Sequence, residues 1–379
     1  MDWHLNEEQQ LLRDEIRRFA EERIRPGEAE RDREHRFPTD LFAEMGELGL
    51  LGMLIDEEHG GIGADVLTYA LAVEELARAS PAISVTMSVT NSVCCWPIQR
   101  FGTDEVKASI LPHLASGEAI GGFGLTEPGS GSDAGAMKTT ARRDGDQWVL
   151  DGEKSWITNA SVGKYFVVLA KTEPDAGTKG ISGFVVPADA EGFSVGAAEE
   201  KMGLRSSNTA TLYFDGCRIP ASHLLAEEGH GFRIAMATLD HSRVGIAAQA
   251  VGIHQRALEL AVAYANEREQ FGRPIARHQA VAFKIASMAT ELAAARALTY
   301  DAALADGKGP DAGRLASQAK LYASEAANRA CWESLQIHGG NGFSEEYEIA
   351  RLYRDVRVTT IYEGTSEMQR MVIARHRLR

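Results

Sequence analysis

The apolar residues of this chain change their spacing twice, and that double change limits the fold more than any single motif does. Over residues 5–25, Leu5, Leu11, Leu12, Ile16, Phe19 and Ile24 stand among acids and arginines at the intervals of one helical stripe, with Pro26-Gly27 as the expected stop. A second helix is expected from Pro38-Thr39-Asp40, and a third over residues 67–79, where Leu71 and Leu76 mix with Glu74, Glu75 and Arg78. Helical stretches continue to about Leu114. From Ala119 to about Ile219 the pattern shortens to period two or to continuous apolar runs between turn residues. Asp144-Gly145-Asp146 joins residues 139–142 to 147–150, and Asp151-Gly152 closes the run, which is a hairpin pattern. Residues 165–170, 183–186 and 211–214 are further strands, so this segment is expected to be antiparallel β. After Gly229-His230-Gly231, alanine-rich helical spacing returns over 232–267, 275–305 and 311–337, with breaks at Gly272-Arg273-Pro274, at 306–310 and at 339–342. Three long helices with short breaks pack as a bundle. The expected fold is mainly α with a β middle domain: an N-terminal helical domain over 1–118, a middle β domain over 119–228 and a C-terminal helical bundle domain over 229–379.

A chain of 379 residues suits such a division, at about 150 residues per domain. Hydrophobic residues make up 44% and charged residues 25%, which excludes a disordered or fibrous chain. With 54 acidic against 40 basic residues the net charge is -14, so neither nucleic acid nor anionic lipid is an expected partner, although a local basic pocket can exist. Cys94 and Cys95 are adjacent while Cys217 and Cys331 stand alone, without C-x-x-C or zinc-ligand spacing, and read as buried reduced thiols. The start, Met1-Asp2-Trp3-His4-Leu5 followed by Glu7-Glu8, lacks the basic-then-apolar order of a signal peptide. No apolar run approaches the roughly 20 residues that span a bilayer. A soluble, cytoplasmic protein without a membrane partner is expected.

Gly129-Ser130-Gly131-Ser132-Asp133-Ala134 fits the dinucleotide fingerprint G-x-G-x-x-G/A, but that fingerprint works only at the start of a helix, and strand and hairpin follow here. What remains is a loop over 125–133 whose glycines permit close backbone approach and whose Thr126 and Ser132 offer hydroxyls; an ordinary surface turn is the alternative. Trp156-Ile157-Thr158-Asn159 sets an indole beside a hydroxyl, as a site for a heteroaromatic ring needs, although a core tryptophan at a strand end is the commoner explanation. Within 266–275, Arg268 is suited to phosphate and Phe271 to stacking, or the segment simply ends a helix. Gln336-Ile337-His338-Gly339-Gly340-Asn341-Gly342 has the same two readings. The sharpest candidate is Glu363, between Tyr362 and Gly364, because a carboxylate in a partly apolar pocket becomes a better base. Its alternative is a loop acid ahead of a helix, with Ser366 and Gln369 at capping-box spacing. No H-E-x-x-H pattern or G-x-S-x-G elbow occurs, so no metal is assigned and a serine hydrolase is not expected; His278 and His338 read as structural.

Together, the segments 125–133, Trp156-Ile157-Thr158-Asn159, Leu239-Asp240-His241-Ser242-Arg243, 268–272, 336–342 and 361–367 resemble the acyl-CoA dehydrogenase family along nearly the whole chain. The resemblance implies a helical N-terminal domain, an antiparallel β domain and a C-terminal four-helix bundle. It implies FAD as cofactor, with Leu125, Thr126, Ser132, Trp156 and Thr158 lining the flavin. Arg268, Gln270, Phe271, Gln336 and Gly340 match positions that hold the pyrophosphate and adenosine of FAD bound mainly by a neighbouring subunit, so a homotetramer, or at least a dimer, is implied. Thr365 and Glu367 join the implied cofactor contacts. Ser132, Asp240, Arg243, Tyr362 and Gly364 match acyl-CoA contacts, and Glu363 matches the base that takes the α-proton while FAD accepts the β-hydride, giving the trans-2-enoyl-CoA. Electrons then pass to an electron-transfer flavoprotein, in fatty-acid or branched-chain amino-acid catabolism. Some members keep their base on the helix of Leu239 to Arg243; Ser242 cannot serve there, so the pattern resembles short- and medium-chain members. An oxidase on the same scaffold is the alternative enzyme, and a non-catalytic acyl-CoA-binding homologue the alternative outside catalysis.

Overall fold

The computed structural model describes residues 5–378. Among the described residues, the N-terminal part holds seven α-helices: α1 (Glu7–Phe19), α2 (Glu28–Glu34), α3 (Thr39–Glu47), α4 (Val66–Ala79), α5 (Pro81–Val89), α6 (Trp96–Phe101) and α7 (Asp104–Ala115). α1 starts on a reciprocal cap, since the Gln9 N–H donates to Asn6 Oδ1 (2.8 Å) and the Asn6 N–H donates to Gln9 Oε1 (3.2 Å). The expected stop at Pro26-Gly27 is a kink instead. Proline is tolerated in a first helical turn, and α2 resumes directly after it. Between α5 and α6 the helix widens into a π turn over Thr90–Cys95, where Asn91 Nδ2 and Ser92 Oγ donate to the carbonyls of Met87 and Ser88 (3.1 and 2.7 Å).

The middle part is one eight-stranded sheet of β1 (Gly121–Gly124), β2 (Thr140–Asp144), β3 (Gln147–Thr158), β4 (Tyr165–Lys171), β5 (Ile181–Pro187), β6 (Phe193–Ala198), β7 (Thr209–Pro220) and β8 (Leu224–Leu225). β2 and β3 form the expected hairpin, with Asp144 opposite Gln147 across a Gly145-Asp146 turn in which Gly145 has φ +63°. The sheet is mixed rather than wholly antiparallel. β1 pairs parallel with β4, and Thr140 of β2 pairs parallel with Lys171. The intervening chain makes the β2–β3 hairpin before returning, so β4 re-enters in the direction of β1; such a crossover can join parallel neighbours whereas a tight turn cannot.

The C-terminal part holds α8 (Gly231–Glu267), a small hairpin of β9 (Glu269–Gln270) and β10 (Arg273–Pro274), then α9 (Gln279–Ala305), α10 (Ala312–His338), α11 (Glu348–Val356) and α12 (Ser366–Arg377). α8, α9 and α10 pack pairwise, α12 completes a four-helix group against α10, and α4 packs onto α8 and α9. The shared core runs through Leu71, Leu76, Val244, Val251, Leu292 and Ala323. Alanine and glycine let the helices approach closely: a Cβ at Gly252 of α8 would lie 2.2 Å from the Glu74 carbonyl oxygen of α4. All four cysteines are free and buried. No described helix is long and apolar enough to cross a membrane.

Candidate active site

Between α11 and α12 the chain makes one helical turn over Arg357–Thr360 and then reverses. The reversal falls on Glu363 (φ +50°) and Gly364 (φ +93°), and a Cβ at Gly364 would meet Gln369 Nε2 at 2.7 Å. A left-handed glutamate is strained and persists only where its surroundings hold it. Gln369 Nε2 donates to the carbonyls of Gly364 (2.9 Å) and Glu363 (3.3 Å), and Lys320 Nζ of α10 donates to the Gly364 carbonyl (2.7 Å). Thr365, not Ser366, caps α12, its hydroxyl accepting from the Met368 N–H (3.4 Å). Gln369 is therefore a brace for the reversal and not half of a capping box.

The held carboxylate faces α8. Ser242 Oγ donates to Glu363 Oε2 at 2.5 Å, and the Tyr362 hydroxyl donates to Gln249 Oε1 two turns further along α8, while Gln249 Nε2 donates to the Pro81 carbonyl (2.8 Å). Glu363 keeps some surface at this seam, yet protein surrounds its carboxylate, and burial pushes the group up to about 7 against the opposing pull of the Ser242 hydroxyl and the charges of Lys320 and Arg243. Its backbone N–H has no acceptor among the described residues. Next to Ser242 on α8, Arg243 Nη1 donates to Asp240 Oδ1, and to Ser317 Oγ (3.2 Å); the buried Arg243 Nε has no partner among the described residues.

At the neighbouring end of the sheet, Lys154 Nζ is fully buried and donates to Glu127 Oε1 (2.7 Å) and the Leu125 carbonyl (3.3 Å). Glu127 in turn accepts from the Lys138 and Thr139 N–H groups (2.5 and 3.0 Å). The loop over 125–133 is thus clamped from beneath rather than an ordinary surface turn. No helix of dinucleotide-binding length follows it, only the turn Ala134–Ala136. The Ser155 N–H donates to the Thr126 carbonyl (2.9 Å), and the β3–β7 ladder shifts between Lys154 and Ile157. Trp156 sits in that bulge at φ +62° with its residue 62% exposed, so the indole stands out of the sheet and is not a core tryptophan. Thr158 is half-buried opposite Thr209. Leu125, Thr126, Trp156 and Thr158 therefore gather at one sheet end, while Ser132 is exposed on the loop. Phe123 of β1 lies between this end and the Glu363 segment, packing against the buried cluster that contains Leu125 and also against the cluster of Ala82, Val85 and Leu204 that Tyr362 packs against. A flat heteroaromatic group fits this end, which offers an exposed indole, two threonine hydroxyls and a clamped glycine-rich backbone.

A second group lies elsewhere. Arg268, Gln270 and Phe271 form the β9–β10 hairpin, where Phe271 is 93% exposed at φ +56°. Gln336 and Gly340 are exposed at the end of α10, held near that hairpin because His338 stacks on Tyr264 (4.2 Å) and Asn341 Nδ2 donates to the Tyr264 hydroxyl (3.0 Å). From Ser242 to Glu267, α8 extends roughly 37 Å at 1.5 Å per residue. Thr365 and Glu367 border a recess of about 440 Å³ with Asn328, Arg329 and Arg357. Sequence reasoning missed Lys154, Gln249 and Lys320, and took Gln369 only as part of a capping box. Lys320 left a signal, because it falls on the stripe of Ala316, Ala319 and Ala323 that faces the core. No group of His, Cys, Asp and Glu among the described residues is placed to hold a metal ion.

A strained, desolvated carboxylate beside a platform for a flat ring, at the seam of an α–β–α chain, is the equipment of an oxidoreductase that takes hydrogen from carbon. Three family models match in chain order: Acyl-CoA dehydrogenase, N-terminal domain, over residues 6–118, the middle domain over 122–217, and the C-terminal domain over 229–378. The short-chain specific acyl-CoA dehydrogenase of Bos taurus mitochondria is 50% identical over 376 residues, covering 99% of this chain and 91% of that protein. Butyryl-CoA dehydrogenase from Megasphaera elsdenii is 42% identical with a TM-score of 0.97, over 100% of both chains. A chain in a structure of the electron transferring flavoprotein of Acidaminococcus fermentans is 44% identical with a TM-score of 0.98, again over 100% of both. The chain belongs to the acyl-CoA dehydrogenase family and is an FAD-dependent enzyme.

Proposed function

We propose that this chain converts an acyl-CoA thioester to its trans-2-enoyl-CoA, with Glu363 removing the α-proton. The observation that carries this reading is the Glu363 carboxylate itself, desolvated, left-handed in backbone and hydrogen-bonded to Ser242 across the seam of α8 and α12. FAD, when bound, supplies the acceptor for the β-hydride. Leu125, Thr126, Ser132, Trp156 and Thr158 would hold its flavin. Arg268, Gln270, Phe271, Gln336 and Gly340 of a neighbouring subunit, with Thr365 and Glu367, would hold the remainder. The free N–H of Glu363 is suited to donate to the thioester carbonyl as negative charge develops; one such donor contributes about 3 kcal/mol to the transition state. Asp240, Arg243, Tyr362, Gly364 and Ser132 would contact the acyl-CoA.

The same reading takes an electron-transfer flavoprotein as the electron acceptor, supported by the related chain from the Acidaminococcus fermentans structure, and a cytoplasmic homotetramer as the assembly. It also favours a short acyl group. Tyr362, Gln249 and Pro81 are tied together about 10 Å along α8 from Ser242, a tie suited to form the far wall of the acyl site. Across a panel of straight-chain acyl-CoAs with an artificial acceptor, kcat/KM is expected to peak at short chains; a steady rise beyond about ten carbons, where each buried methylene adds about 0.8 kcal/mol, would refute this. The central assignment is tested by Glu363→Gln in anaerobic stopped-flow. Glutamine keeps the shape and the backbone N–H, so FAD binding should persist while flavin reduction slows by about 10²–10⁴. Reduction at the wild-type rate would place the base elsewhere.

A further inference from the structure

We infer that Lys320 is a positioning residue for the base: its ammonium, sealed within the helical group, fixes the reversed backbone through the Gly364 carbonyl and supplies the positive charge that keeps the Glu363 carboxylate ionised. This rests on the reading of Glu363 as the base. Lys320 is 0% exposed on α10, and its one hydrogen bond is to the Gly364 carbonyl oxygen (2.7 Å). Among the described residues, no carboxylate oxygen lies within 4.0 Å of its Nζ. A buried cation without an acid is costly, and space beside Ala316, Ala319 and Ala323 is filled as well by an apolar side chain.

The neighbouring charges explain why this one is felt at Glu363. On α8, Arg243 is taken up by Asp240. On α10 and α12, Glu325 and Glu367 share Arg370 (2.6 and 3.9 Å). Tyr69 of α4 is bonded to Ser88 (2.7 Å), and the Tyr362 hydroxyl donates to Gln249. Lys320 and Glu363 are thus the two acid or basic side chains of this group without an ion-pair partner of their own among the described residues. Burial pulls Lys320 down to about 8, with the charge of Glu363 the main opposing influence. The hydrogen bond to Gly364 keeps the ammonium at the segment that carries the base, so one side chain acts on both backbone and charge.

The test is infrared difference spectroscopy of the FAD-loaded enzyme across pH, with the Glu363 carboxylic-acid band identified as the one that Glu363→Gln abolishes. In wild type that band should fade as pH rises through about 7. Lys320→Met and Lys320→Gln should each move the midpoint upward by about one pH unit, which lowers the ionised fraction about tenfold on the acid side. The midpoint of anaerobic flavin reduction should move with it. Glutamine retains a donor for the Gly364 carbonyl, so a wild-type midpoint in Lys320→Gln overturns the role of the charge, even if Lys320→Met does not fold. A folded Lys320→Met that titrates as wild type overturns the whole inference. The band reports on Glu363 directly. If another group is the base, Glu363→Gln still reduces flavin while the shift caused by Lys320 remains, and the two failures are told apart.

Discussion

Glu363 combines two features that a resting side chain does not need, a left-handed backbone costing about 1–3 kcal/mol and a carboxyl group out of water. The second fixes two opposite dependences on pH. Its value near 7 in the folded chain lies above that of an exposed glutamate, so the protonated group favours folding. That contribution is complete below about pH 4.3 and is lost as pH rises through 7. Under the proposed mechanism proton abstraction runs the other way, because a base must be ionised. Anaerobic flavin reduction is therefore expected to rise along an acid limb with its midpoint near 7, while thermal unfolding shows a loss of stability across the same interval that Glu363→Gln removes. A limb centred near 4 would mean that the carboxylate is solvated. Of the candidate site, Glu363 was legible as a candidate because it stands between Tyr362 and Gly364. Ser242 lies 121 positions away, and although its inability to act as a base was readable, its hydroxyl bond to Glu363 was not, since no local pattern encodes a contact made by tertiary packing. Trp156 was legible as an indole beside a hydroxyl, but the bulge that turns it outward depends on the register of β7.

Among elements, those with a strong period were readable and those fixed by distant partners were not. The three long helices α8, α9 and α10 and the β2–β3 hairpin follow from spacing and turn residues. β6, with Gly196 and Ala197 in a half-exposed run, carries no alternation to detect, and the parallel β1–β4 pairing joins residues whose chain separation hides it. The β9–β10 hairpin was read as a helix end with a possible phosphate contact. It is a projecting element whose Arg268 has no side-chain partner among the described residues and whose Phe271 is almost wholly exposed. Arg268→Ala is expected to weaken FAD retention by about 1.5–3 kcal/mol, the usual range for a hydrogen bond to a charged group, and to loosen the oligomer with it. Gel filtration and flavin content measured on the same sample decide this. If both are unchanged, the hairpin does not serve a neighbour's cofactor.

For the whole molecule, the α–β–α order was legible from periodicity, but the approach of the Leu125 end of the sheet to Leu239 of α8 and to Tyr362 was not, because it is made through buried clusters that draw on distant parts of the chain and share Phe123. The length of α8 has a consequence in genetics. A rigid helix keeps Glu363 and the Arg268 hairpin of one chain far apart, so under the proposed assembly every catalytic centre is the joint product of two copies of the chain. Lesions at the two ends should then complement. Co-expression of Glu363→Gln chains with Arg268→Ala chains is expected to yield hybrids in which one centre has both its base and its hairpin intact, with activity above that of either parent. The same arrangement makes a hairpin lesion act on a partner's centre, so a defective allele would depress the product of a sound one in a mixed population.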